Sequence, residues 1–360
     1  MISVGYILII VRNHLQFYST PTNINNVWNM GFLLYISITI QIVTGLLLST
    51  NYSPTQHSYQ SIQTTVREIY YGWYLSSLHS TGASIVFGAV IVHIGRGLYV
   101  SSYLYRTSLW ISGIVLYLLL MIIGFMGYIL AWGQLSFWAG TVICNIFKPM
   151  NLLLLVTGWS LLTETTLHRF FVFHFLLPLL LLVLSWIHIF YLHHITSSNT
   201  LSFYTYNLIT FYPVILWKDI LGLISLGIGY GLQIFNSYGL SHPDNILEVN
   251  TLVTPLHICP EWYFLSMYIV LKSIPNKTSG LYIVILTLSH WLLNQELGTL
   301  VISGLSTSIN WIYGNHLIIV HGLQFLVLSF IGSQLPQNTF LTHGRTVTIL
   351  NNLILWSSLT

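Results

Sequence analysis

Long apolar runs alternate with short polar stretches over most of this chain. A membrane-spanning helix needs about 20 predominantly apolar residues. Eight segments are read this way: about 31–52 (A), 76–99 (B), 109–132 (C), 171–194 (D), 217–237 (E), 280–301 (F), 309–333 (G) and 344–360 (H), the last being short and partly polar. The stretch before Val27 carries Arg12, His14 and Gln16. It is too polar to span and reads as a surface helix lying along the membrane. The expected fold class is therefore all-α, a polytopic membrane protein of eight transmembrane helices.

Counting the spans sets the topology. Successive spans alternate in direction, so B and D run parallel. The A–B, C–D and E–F connections share one face, here the first side, and B–C and D–E share the second. The two long connections, about 133–170 and 238–279, both lie on the first side. Long loops are where binding sites are usually built.

Composition supports a lipid environment. The 360 residues are 54% hydrophobic and 5% charged, against about 25% charged in a soluble domain. The net charge of +3 is dispersed, and no basic run points to nucleic acid. The second side carries Arg12, Arg96, Arg106 and Lys218, and the first carries Arg67, Lys148, Arg169, Lys272, Lys277 and Arg345. With Asp219 and Glu296 on the second side and most acids on the first, lysine and arginine counts do not set the orientation. Cys144 and Cys259 lie in no CxxC or CxxCH, which excludes covalent c-type haem and a cysteine-ligated zinc or iron–sulfur centre within this chain. Residues 1–11 lack a basic n-region and a small-residue cleavage site, so no secretory signal or transit peptide is expected.

Four histidines change the picture. His79 and His93 are fourteen residues apart, as are His174 and His188, and no other two of the fifteen histidines share that separation. Fourteen helical residues span about 21 Å and just under four turns, so the two members of a pair lie near one face at two depths. With B and D parallel, His79 meets His174 at one level and His93 meets His188 at the other. That arrangement grips two flat metal cofactors axially, stacked across a membrane. A histidine on an apolar face is ordinarily a satisfied core residue. Inside a membrane it is rarer and functional by default, and two equally spaced pairs favour ligands.

Glycines follow the same spacing. Gly31 and Gly45 in A, and Gly113 and Gly127 in C, are again fourteen apart. Glycine allows close backbone approach to a ligand or a neighbour; small-residue packing between spans is the other reading. Matched to the histidines, the pattern describes a bundle of A to D with ligands from B and D and space from A and C. Two histidines on one iron leave no open position, which favours electron transfer. Arg96, three residues after His93, suits both a haem propionate and an interfacial anchor.

The residues resemble the mitochondrial cytochrome b family, the membrane core of ubiquinol–cytochrome c reductase. The similarity runs through nearly the whole chain: WNMG…QIVTG (28–45), LHSTGAS…HIGRGLY (78–99), GYILAWGQLSFW (127–138), RFFVFHFLLP…HIFYLH (169–193), WKDI (217–220), HPDN (242–245) and PEWYF (260–264). PEWY and the fusion of all spans in one chain argue against the split chloroplast-type relative. The chain departs from the family at Ser76, where an arginine is usual, and at HITSSNT (194–200), so Ser197 and Asn199 carry over only weakly.

The resemblance implies two non-covalent b haems, the low-potential one on His79 and His174 and the high-potential one on His93 and His188. It implies a quinol-oxidation pocket on the first side, facing the intermembrane space, where Glu261 accepts a proton or binds the quinol hydroxyl, and Tyr263, Tyr268, Gly133 and Phe264 line the cavity. A carboxylate suits that chemistry because oxidation releases protons; from the residues alone, Glu261 equally fits a loop carboxylate paired with Lys272 or Lys277. The second side would hold a quinone-reduction pocket, with His193 and Asp219 on the carbonyls and Lys218 delivering protons; a Lys–Asp pair at a helix start is otherwise an interfacial anchor. By this resemblance residues 1–200 form the haem-binding four-helix bundle with quinone sites, and 201–360 form the C-terminal helices with the PEWY loop. The implied activity is a Q cycle in the mitochondrial inner membrane. The implied partners are a Rieske iron–sulfur protein, cytochrome c1 and other complex subunits, ubiquinone, membrane lipid and a second copy of the complex. Two rivals remain: a di-haem membrane anchor of a quinone-linked dehydrogenase, and a proton-coupled transporter without haem, which leaves the glycine spacing unexplained.

Overall fold

The structure, a computed structural model, describes residues 4–104, 106–147, 162–200, 207–236, 239, 241–302 and 307–357. Lys148 and the rest of 148–161 in the first long connection lie outside the described residues, as do 237, 238 and 240 around the start of the second and 358–360 at the end of span H. Helix α1 (Val4–Leu15) precedes the first span. The spans of the bundle are α2 (Met30–Ser49), α4 (Gly72–Tyr99), α5 (Thr107–Leu130) and α7 (Glu164–Ile195). Short helices α3 (Ser58–Glu68) and α6 (Gln134–Phe147) lie in the connections. The remaining helices are α8 (Leu216–Phe235), α9 (Leu265–Ser273), α10 (Lys277–Ile302), α11 (Thr307–Gly332) and α12 (Asn338–Ser357).

All eight expected spans coincide with helices. Among the described residues, five stretches are both long and apolar enough to cross a membrane: Asn26–Ser49, Gly72–Tyr99, Thr107–Leu130, Glu164–His194 and Phe211–Phe235. The side chains of α10 to α12 are described only in part. At 26, 26 and 20 residues, each of these helices is about 30 Å long or more.

Boundaries moved where local chemistry overrides hydropathy. Helix α7 starts seven residues before the apolar run because Thr163 and Thr166 form a capping box, satisfying two amide groups of the first turn. It continues through Pro178, which has no amide to give the carbonyl of His174, four residues earlier. Among the described residues, the four non-glycine positions at positive φ are Tyr71, Ser101, Trp132 and Thr196. Each flanks an end of a bundle helix, where the chain must turn sharply to stay at the membrane face.

The bundle is built from two tight pairs, α2 with α4 and α5 with α7, joined where α2 meets α7. Among spans the hydrophobic effect drives little association, because lipid is as apolar as the side chains; close packing does the work. The main buried cluster accordingly sits at the first-side end, where Ile129, Trp132, Phe137, Leu162, Leu167 and Phe170 join α5, α6 and α7. A smaller cluster of Ile269, Leu328 and Ile331 joins α9 to α11.

A two-stranded antiparallel ladder was not expected. Ser19–Pro21 (β1) pairs with Leu208–Thr210 (β2), Thr20 facing Ile209. Three residues a side are too few to show a period of two. Both cysteines are free, Cys144 buried and Cys259 partly exposed.

Candidate functional site

The four histidines come together as two levels. His79 of α4 faces His174 of α7 with ring centres 6.2 Å apart and planes at 88°. His93 faces His188 at 6.4 Å and 62°. The order of the pairs shows that α4 and α7 run parallel. A metal bonded to two imidazole nitrogens at about 2 Å each, with each ring centre about 1.1 Å behind its nitrogen, sets the centres about 6 Å apart. Both levels fit a bis-histidine cofactor.

Hydrogen bonds fix which ring nitrogen is free. The Thr44 hydroxyl donates to the Ile40 and Gln41 carbonyls at 2.8 and 3.1 Å. Its oxygen therefore accepts the 2.9 Å bond from His79 Nδ1. Ser112 repeats the arrangement, donating to Leu109 at 2.9 Å and accepting from His188 Nδ1 at 2.8 Å. The Ile123 carbonyl, which can only accept, takes the Nδ1 hydrogen of His174 at 3.0 Å. Three rings thus carry hydrogen on Nδ1 and leave Nε2 with a lone pair, the state a metal ligand requires. His93 differs, its buried Nδ1 having no partner.

Each glycine abuts one histidine of the helix beside it. A Cβ on Gly127 would lie 2.5 Å from His174 Cε1, on Gly45 3.0 Å from His79 Cε1, on Gly113 3.1 Å from His188 Cε1 and on Gly31 3.5 Å from His93 Cε1. The glycines make room for the rings. Thr44 and Ser112 each immediately precede one of these glycines, a sequence signal for the acceptors that spacing alone passed over.

At the first side, the start of the C–D connection clamps the E–F connection. Gly133 pairs in an isolated bridge with Glu248, and a Cβ there would lie 2.5 Å from the Asn245 carbonyl oxygen. Gln134, buried, donates to the Val253 carbonyl at 2.6 Å and accepts from the Asn250 amide at 2.6 Å. Asn245 accepts from the Ser136 amide at 2.8 Å. The PEWY segment is seated against α4: Trp262 donates to Ser84 at 3.2 Å, and Tyr263 stacks on Phe87 with centres 3.9 Å apart. Glu261 immediately precedes the short turn Trp262–Phe264, and its side chain makes no capping hydrogen bond to it. Burial pushes its carboxyl up to about 7. Burial and the neighbouring Glu261 also raise the Tyr263 hydroxyl, and Tyr128 of α5 lies within electrostatic reach of the same carboxylate. Lys272 donates to the Gln334 carbonyl at 2.6 Å and sits 5.4 Å from the Tyr268 ring centre; no ion pair of Glu261 is found among the described residues. The Tyr268 hydroxyl donates to Ile258 at 3.0 Å.

At the second side the segment 14–29 is the hub, which hydropathy did not reveal. His14 and Tyr18 contact His193. Asn23 donates to Asn199 and Thr200. Lys218 gives its ammonium to the Ile24 carbonyl at 2.5 Å and its own carbonyl accepts from Asn29 at 2.8 Å. Trp28 donates to Ser198 at 2.8 Å and lies 5.4 Å from the Arg96 guanidinium. Arg96 Nε is buried without a partner, a donor of the kind a buried anionic group would take up. Asp219 is buried beside Lys218. At the first-side end of α4, Ser76 Oγ, at the position where the resemblance leads one to expect an arginine, is also buried without a partner.

Fold and site together define a polytopic helical membrane protein with two histidine pairs, one above the other, between two polar faces. The comparisons with known proteins narrow this. The family described as Cytochrome b/b6/petB matches residues 15–196, and that described as Cytochrome b(C-terminal)/b6/petD matches 248–351. Cytochrome b of Toxoplasma gondii is 42% identical, covering 94% of this chain and 94% of that protein. Cytochrome b of Plasmodium falciparum is 42% identical, covering 96% and 93%. A solved "Hyperthermophilic respiratory Complex III" chain superposes with a TM-score of 0.88 at 25% identity, covering 98% of this chain and 95% of that one. The chain belongs to the cytochrome b family, and is the multi-pass b subunit of a ubiquinol–cytochrome c reductase.

Proposed function

We propose that His79 with His174, and His93 with His188, hold two b haems, the first pair the low-potential and the second the high-potential one. The observation that carries this is the pair of ring separations, 6.2 and 6.4 Å, with Nε2 left free on three rings. Each bound haem supplies a site that takes up and gives up one electron. The protein's part is to hold the rings still: Thr44, Ser112 and Ile123 anchor three of them, and Gly31, Gly45, Gly113 and Gly127 leave them room. The buried Arg96 guanidinium suits a propionate near the second level.

The proposed reaction is a Q cycle, with residues 1–200 as the haem bundle and 201–360 completing the quinone sites. At the first side Glu261 takes a proton from quinol. With its carboxyl near 7, it is protonated below that pH and ionised above it, so its service as a base rises with pH through about 7. Phe264, Tyr263 and Tyr268 line the same pocket, and Gly133 lets the two connections meet. At the second side His193 and Asp219 bind quinone, and Lys218 supplies protons. Leu252 and Leu256 are fully exposed at the tip of the E–F connection, an apolar surface fit for a Rieske iron–sulfur partner. Cytochrome c1, the other subunits, lipid, a dimeric complex and the mitochondrial inner membrane complete the assignment.

The test is an optical redox titration of the purified complex. Two b-type components with separated midpoints are expected. A folded complex with no b haem would refute the ligation, and a single component would mean that one pair is not a ligand pair.

A further inference from the structure

His14 on α1 and His193 near the end of α7 meet Nδ1 to Nδ1 at 2.9 Å. Their rings are nearly parallel, at 16° with centres 5.2 Å apart. Two imidazole nitrogens approach this closely only when one carries hydrogen and the other a lone pair, so one hydrogen is shared across the contact. Tyr18 stacks on His193 with centres 4.2 Å apart, and its hydroxyl lies 3.4 Å from the Leu192 carbonyl and 3.5 Å from Ser197. His193 is thereby held in one orientation. Its Nε2 is left for a ligand, and the Nε2 of half-buried His14 is left for water. Charged groups near this cluster are Arg12, two residues before His14 on α1 and bonded to Gln16, and Arg106, which acts on Tyr18 and donates to the Thr196 carbonyl at 3.2 Å. Lys218 and Asp219 stand at the start of α8 on the same face.

We propose that His14 is the surface member of a two-histidine relay that carries protons to the second-side quinone pocket through His193. The proposal rests on the reading of His193 as a quinone-binding residue. Reduction of quinone takes two electrons, supplied by quinol oxidised at the first side, and two protons from water at the second. For one of those protons, His14 accepts a proton at Nε2 and its Nδ1 hydrogen passes to His193 Nδ1. The Nε2 hydrogen of His193 then forms the new O–H bond on the quinone oxygen. One proton leaves water and one reaches quinone, and no charge stays on the pair. His14 is a positioning and relay residue, since it does not touch the substrate.

The experiment compares His14→Ala, His14→Gln and His193→Ala in the intact complex. Second-side quinone reduction is followed across pH, and first-side quinol oxidation is followed with the second pocket blocked. Both His14 variants should slow the second-side reaction about tenfold to a hundredfold, most strongly at alkaline pH where protons are scarce. Added imidazole should restore His14→Ala, which a merely structural role would not allow. First-side oxidation should be unchanged. Full activity in His14→Gln, which keeps a hydrogen-bonding side chain and cannot relay, would overturn the relay. So would normal rates in His14→Ala while His193→Ala is inactive. A harmless His193→Ala would overturn the quinone-pocket reading and the relay with it.

Discussion

Alanine at the four glycines should produce a graded series, because the same methyl group meets four different clearances. At Gly127 the added Cβ would sit 2.5 Å from Cε1, 3.0 Å from Nε2 and 3.1 Å from Nδ1 of His174. Ordinary carbon contacts are about 3.5–4.0 Å, so the ring must retreat by about 1 Å. It has nowhere to go without stretching the 3.0 Å bond to Ile123, and metal–ligand distances tolerate only about 0.2 Å. Alanine gains about 1 kcal/mol of helix propensity over glycine, while overpacking costs about 1–3 kcal/mol. At Gly127 the clash wins. At Gly31 the Cβ would be 3.5 Å from His93 Cε1, an ordinary contact, and the propensity gain wins. Gly45→Ala and Gly113→Ala, at 3.0 and 3.1 Å, require shifts of a few tenths of an ångström. The assay is b haem per complex by pyridine haemochrome, followed by optical redox titration. Gly127→Ala should lose the component of the His79–His174 level, Gly45→Ala and Gly113→Ala should keep both components with displaced midpoints, and Gly31→Ala should match the parent. Equal loss from Gly31→Ala and Gly127→Ala, or a neutral Gly127→Ala, would refute the clearance argument.

Three further outcomes follow from the same geometry. Glu261→Gln should abolish the rise of quinol oxidation with pH through about 7 and slow the reaction about a hundredfold or more, with Glu261→Asp retaining a pH limb; an unchanged pH–rate profile would sink this role. Thr44→Val removes the acceptor of His79 Nδ1, making the ring a poorer electron donor to bound iron; the midpoint of that level should move positive, and a negative shift would contradict the tautomer assignment. Gln134→Leu breaks two buried hydrogen bonds to the E–F connection, each group left unpaired costing about 1–3 kcal/mol. Hydrogen exchange at 247–256 should accelerate and the KM for quinol should rise, whereas unaltered protection would show that the clamp is dispensable.

The apolar runs determined the spans, because a helix is the local structure that satisfies its own backbone in lipid. The fourteen-residue spacing in two spans of equal direction determined which histidines meet, since helical pitch converts spacing into depth. The matching glycines were legible for the same reason. Spacing left a ligand and a neighbouring side chain open as what the glycines face, and each one stands beside a histidine ring of the next helix. Hydropathy placed the start of α7 late because the capping box at Thr163 is polar, and it passed over the ladder of Ser19–Pro21 with Leu208–Thr210 because each strand is too short to show alternation.

What only the tertiary structure decided lies in contacts between distant segments. Gln134 reaches Asn250 and Val253, Phe87 supports Tyr263, and Thr44 and Ser112 choose the protonated nitrogen of rings on other helices. The segment 14–29 carries no motif for the second side, yet it touches His193, Ser198, Arg96 and Lys218. Periodicity is a property of one segment and its lipid or protein surroundings. The orientation of a ring, the tautomer it adopts and the proton path open to it depend on side chains that meet after the helices have packed.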